Sequence, residues 1–199
     1  MEKARRGCGG IENRGGHLIL GRPKNGPSAS EERLKRLANE IDRLADKDED
    51  LMRRERETSE VRRAAATELH AICASFVGEL NKLLKRTELR LDPEVLSTDG
   101  VELQTPTLIQ VQVRGRILQV MFTATPGLSS TEEFRIPYIM EGSVRAFSQD
   151  MLDKELIEEQ LLFYTLETRG NLWRYFDTRT YRSGPFDREY LTALMEKII

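Results

Sequence analysis

Histidine and cysteine are nearly missing from this sequence, two of each among 199 residues, and that scarcity removes much chemistry at once. Cys8 and Cys73 are far apart in the chain, so neither a disulfide framework nor a CxxC metal site is written here, and a reducing, cytoplasmic setting is expected. His17 falls in a glycine-rich tail, while His70 precedes Cys73 by three residues and shares roughly one helical face with it. Two ligands are too few for a closed zinc site, so His70 and Cys73 are read as packing residues and no cofactor is expected. Long hydrophobic runs are lacking too. The longest near the start, "HLIL", is too short for the core of a signal peptide, and no window approaches the ~18 apolar residues of a membrane-crossing helix. A soluble chain without a membrane anchor is the expectation.

Phosphate-cradling loops are also absent. There is no GxxxxGK[ST], and "GCGG" and "RGG" lie outside any strand-turn-helix context. Carboxylates are plentiful, and Glu167, Asp177, Asp187 and Glu189 fall close together in sequence. No strand carries the acid followed by Glu-x-Lys that a metal-dependent nuclease would use, and this region has almost no lysine, so a carboxylate enzyme is the least favoured function.

What the chain does hold is charge, unevenly distributed. Residues 1–27 carry six Lys/Arg against two acids, residues 28–86 thirteen of each, and residues 87–199 twelve against eighteen. Residues 1–29 read as a disordered, basic, glycine-rich tail holding seven of the fourteen glycines, and are set aside from the fold. An acidic C-terminal region lowers the expectation of nucleic-acid binding, since such proteins usually show a basic footprint over the binding domain.

Residues 30–86 read as one long helix. Ser28 or Ser30 followed by Glu31 and Glu32 forms an N-cap with acids in the first turn, where they complement the unpaired N–H groups and the dipole. Spacing by alternate threes and fours yields a seam through Leu34, Leu37, Ile41, Leu44 and Leu51 that resumes at Ala65, Leu69, Ile72 and Phe76. Between them "DKDEDLMRRERETSEVRR" has thirteen charged residues in eighteen and no Gly, Pro or Asn. Strong helix formers without a turn residue predict a continuous helix, about 80 Å long at 1.5 Å per residue. Two helices broken near Asp46–Asp50 are the rival reading. The front half is expected to dimerise as a coiled coil, and the rear half, apolar over a wider stripe, to pack on the domain that follows.

After Arg86 the period changes to alternation. "TELRLD" is a short strand and "VLSTDGVELQTPT" a loop. "LIQVQVRGRILQVMFTAT" is a hairpin turning at Arg-Gly, and "TPGLSST" a further loop. "FRIPYIMEGSVRAFS" reads as a second strand pair turning at Glu141–Gly142, with Pro137 at an edge or bulge. "QDMLDKELIEE" suggests a short helix and "LLFYTLETRGNLWRYFDT" a third hairpin turning at Arg169–Asn171, with "RTYRSG" continuing its second strand. "PFDREYLTALMEKII" starts a helix at Asp187, stapled by Phe186 and Leu191. The fold class is α+β: a long N-terminal helix, then an antiparallel meander of about five to six strands over residues 87–199, with the C-terminal helix packed on one face.

The stretch "NLWRYFDTRTYRSGPFDREYL" gathers the only tryptophan, three of five tyrosines and four arginines. Trp, Tyr and Arg are enriched at protein interfaces. By parity Trp173 and Tyr175 oppose Leu172, Arg174 and Phe176, so one face should be dry and the other presented to solvent. Arg174, Tyr175, Arg179, Tyr181 and Arg182 are the candidate partner-binding residues. The function read from these features is a non-enzymatic adaptor that dimerises through its helix and presents a small domain to a protein partner. A nucleic-acid regulator using the tail and the hairpin arginines is the alternative. A coiled coil leading into a sheet-and-helix domain resembles, in outline, subunits of kinetochore-type and other adaptor assemblies.

Overall fold

The computed structural model describes residues 28–97, 105–154 and 157–199. They form α1 (Ala29–Leu83), β1 (Arg90–Asp92), β2 (Thr107–Val113), β3 (Arg116–Ser129), β4 (Tyr138–Ser148), α2 (Gln149–Asp153), β5 (Glu158–Thr165), β6 (Leu172–Asp177), β7 (Arg182–Pro185) and α3 (Arg188–Glu196). The strands make one antiparallel sheet in sequence order from β1 to β7. The class is α+β with a seven-stranded meander, rather than the five to six strands expected. The basic tail over residues 1–27 lies outside the described residues. None of the helices described is long and apolar enough to cross a membrane. The chain divides into two units, Met1–Glu49 and Asp50–Ile199.

In the first unit, the described residues are the start of α1. Ser28 Oγ accepts from the Glu31 N–H at 3.2 Å while Glu31 accepts from the Ser28 N–H at 2.9 Å, a reciprocal cap that satisfies two donors the helix cannot. Leu34, Leu37, Ile41 and Leu44 are all exposed. α1 continues through the charged middle without a break.

The second unit is built on the sheet. The remainder of α1 buries Ala65, Leu69, Cys73, Phe76 and Val77 in one cluster with Leu191, Leu194 and Met195 of α3 and the inward row of every long strand. Trp173 stands at its centre. Its Nε1–H donates to the Ala65 carbonyl at 2.8 Å, and its ring meets Phe122 edge-on at 5.6 Å and Tyr164 at 5.3 Å. Arg62 is buried alongside, its guanidinium donating to the Thr125 carbonyl at 2.6 Å. α3 begins as expected: Asp187 accepts from the Tyr190 N–H, and Phe186 and Leu191 are buried as the staple.

Three expectations are corrected. Glu141–Gly142 is no turn: β4 runs straight through it, paired with β3 and β5. Glycine is needed there for close approach, since a Cβ would lie 2.0 Å from the Met121 carbonyl oxygen. "RTYRSG" does not prolong β6. Tyr181, with φ of 54°, reverses the chain, and β7 returns to pair with β6 from Asp177↔Arg182 to Arg174↔Pro185. "TPGLSST" is largely strand, because β3 passes an irregularity between Ala124 and Ser129 and resumes pairing at Ser129↔Tyr138.

Candidate partner-docking face

Strand register determines which side chains share the face turned away from α1 and α3. Partners across an antiparallel ladder point the same way. One row therefore runs Met121, Ser143, Leu161, Phe176, and the next runs Thr123, Glu141, Phe163, Arg174. The β3–β4 connection folds back over these rows. Its Thr131–Phe134 turn is closed by Phe134 N–H donating to Thr131 Oγ1 at 3.0 Å and Thr131 N–H donating to the Phe134 carbonyl at 2.9 Å. The closure delivers the Phe134 ring onto Phe163, stacked at 4.4 Å, with Tyr138 4.5 Å from Phe163 and Phe176 5.6 Å from Phe134.

Phe134, Tyr138, Phe163 and Phe176 form a second core, separate from the one under the helices. β6 is thus dry on both sides, Trp173 inward and Phe176 outward. The expectation that one of its faces would be left to solvent is corrected, because four rings from β3–β4, β5 and β6 close over the other.

Beside this cluster a cavity of about 670 Å³ opens over the two rows. Its walls are mostly apolar. Among the described residues, Glu132 and Glu133, at the tip of the closed turn, and Glu141, on β4, supply its charged lining. Glu141 lies near Tyr138, whose phenol is pushed up first by burial and then by that carboxylate.

The five residues singled out from the sequence do not form one patch. Arg174 makes a bidentate pair with Glu167, Nε at 2.6 Å and the second nitrogen at 3.2 Å, which holds the Glu167 carboxyl below its usual range. Tyr175 points the other way and is stacked on Tyr190 at 4.0 Å, with its ring 2.9 Å from where a Cβ on Gly184 would stand. Arg179 donates to Glu158 at 2.8 Å, and its N–H to Asp177 at 3.0 Å. The Arg179 guanidinium, helped by Lys197, holds the Glu158 carboxyl down at about 2. Tyr181 is exposed, its ring 6.2 Å from Phe176, and Arg182 is exposed on β7. A polar chain ties the group to α3: the Tyr190 hydroxyl donates to Gln160, and Gln160 Nε2 to Asp177 at 3.4 Å.

The Cys73 and His70 pair is divided between two tasks. Burial pushes the Cys73 thiol up to about 12, far from a nucleophile's range, and His70 Nε2 lies 2.9 Å from the Pro93 carbonyl oxygen. Among the described residues no three of His, Cys, Asp and Glu gather as metal ligands. Glu167 and Asp177 are engaged with Arg174 and Arg179, and Asp187 caps α3.

Sequence reasoning missed the cavity. The signal was in "LLFY" of β5, where consecutive apolar residues on both parities mark a strand covered on both faces rather than one. Comparison with protein-family models, with curated proteins and with solved structures yields no match to the chain.

Proposed function

We propose that the chain is a non-enzymatic oligomerisation and adaptor protein that dimerises through the front of α1 and presents the sheet domain to a protein partner. One observation carries the reading. Leu34, Leu37, Ile41, Leu44 and Leu51 keep heptad spacing and are each at least half exposed within the single chain. Burying a leucine of this kind is worth roughly 1.5–3 kcal/mol at full burial, so a second copy of the same stripe is a strong attractor. A parallel pair would carry two docking faces and raise avidity for a partner that both can reach. The commitment of Cys73, His70, Glu167 and Asp177 to packing, caps and ion pairs supports a role without catalysis. Arg174 and Arg179 already hold carboxylates, which weighs against phosphate binding by the hairpin. The setting inferred with this reading is cytoplasmic. Light scattering on the full chain should report the mass of two chains at micromolar concentration, and a single-chain mass at high micromolar concentration would overturn it.

A further inference from the structure

Among the hollows of the sheet domain, two apolar ones have rims of opposite charge, and the contrast selects a ligand. Near the start of β3 a hollow of about 430 Å³ is edged by Arg86, Arg114 and Arg116. The cavity of about 670 Å³ on the outward rows is edged instead by Glu132, Glu133 and Glu141, with no cationic side chain among the described residues of its lining. Arg135 is the next residue along the turn, but it does not line the cavity. Arg174, on the same row as Glu141, is held by Glu167.

We infer that this cavity is the partner-docking site, and that it takes a peptide segment whose large apolar side chain is flanked by lysine or arginine. The inference rests on the adaptor reading and names its partner's chemistry. Three features carry it. The volume falls in the range of ligand pockets, which are roughly 300–1,000 Å³. The walls are preorganised, because the Thr131–Phe134 turn is locked by its two internal hydrogen bonds and Phe134 is stacked on Phe163, so little ordering remains to oppose binding. The carboxylates sit on the exposed rim, where opposite charge on a partner accelerates encounter and sets register, while the anionic surfaces of nucleic acids and acidic membranes are repelled. Tyr181 is exposed and edge-on to Phe176, a residue of the cavity wall, and Arg174 pairs with Phe163 on the same outward row.

The test uses the full chain with methyl-labelled methionine and three synthetic peptides: Lys-Leu-Phe-Arg, its charge-reversed Glu-Leu-Phe-Glu, and the apolar-deleted Lys-Ser-Ser-Arg, all with blocked ends. The first should shift the Met121 methyl resonance saturably, and each of the other two should bind at least about tenfold more weakly. Glu132→Gln with Glu133→Gln, both on an exposed turn, should weaken the first peptide several-fold and flatten its salt dependence while the thermal melt stays unchanged. Absence of a Met121 shift at millimolar peptide, or equal binding of the charge-reversed peptide, would overturn the inference. The mass of the same samples separates the two readings. Monomers that bind the peptide overturn only the dimer, and dimers that do not bind it overturn only the docking site.

Discussion

The two halves of α1 carry one heptad register and meet opposite fates. In the rear half the register positions Arg62, Ala65, Leu69 and Phe76 are all buried, whereas in the front half Leu34, Leu37, Ile41, Leu44 and Leu51 are all exposed. The exposed positions are all leucine or isoleucine, as apolar as the buried Leu69. Heptad spacing therefore states that a stripe of the helix seeks cover without stating what will supply it. In the rear half the cover is the chain's own sheet, which accounts for small Ala65 and Ala66 where Trp173 comes close and for an arginine reaching the β3 carbonyl at Thr125. The leucine and isoleucine of the front half are what a helix-helix seam uses.

The comparison is broken most severely by Leu69→Ala, which deletes a fully buried side chain of the second unit and should cost about 2–5 kcal/mol in urea unfolding. Next comes Arg62→Ala, which strands the Thr125 carbonyl and should cost about 1–3 kcal/mol. Arg62→Met should recover part of that loss, since Met restores the buried apolar stem that Ala deletes. Leu37→Glu combined with Ile41→Glu should move monomer unfolding by no more than about 0.5 kcal/mol, since both residues are exposed, yet convert a two-chain mass to a one-chain mass. A rear-half loss of stability without a change of mass, set against the reverse in the front half, would sharpen the contrast.

The smallest effect is expected from Glu158→Gln. The folded Glu158 carboxyl lies at about 2, below its ordinary 4.5, with the Arg179 hydrogen bond as the main cause. Its contribution is therefore present above about pH 4.5 and is lost as pH falls toward 2. Acid titration of the melting temperature should be slightly flatter in the variant across that window. Salt should narrow the difference further, because the pair is exposed.

Much of the architecture was legible because it is local. The Ser28 and Glu31 cap, the Arg114–Gly115 hairpin turn, the turn near Gly170 and the Asp187 start of α3 with its staple each depend on a few adjacent residues. Two of the errors concern a glycine and a tyrosine whose role is set from a distance. Gly142 resembles a turn glycine until β3 is brought alongside, and Tyr181 resembles a strand residue until β7 must return. The candidate site residues, chosen for arginine and tyrosine content, do not come together on one surface. Arg174 and Arg179 find carboxylates on neighbouring elements, Tyr175 finds Tyr190 of α3, and the charged rim comes from a turn some forty residues earlier.

By itself the sequence determined the periods, caps and turns, and so the order of helix and strands, because these follow from backbone geometry within a few residues. Only the tertiary structure decided that both faces of β6 are dry, that Glu132, Glu133 and Glu141 share one rim, and that one half of a single heptad stripe is covered while the other is bare. A repeat of two or seven says which side chains lie together. What they lie against depends on segments far away in the chain, and the cost of leaving apolar surface in water is settled only when those segments meet.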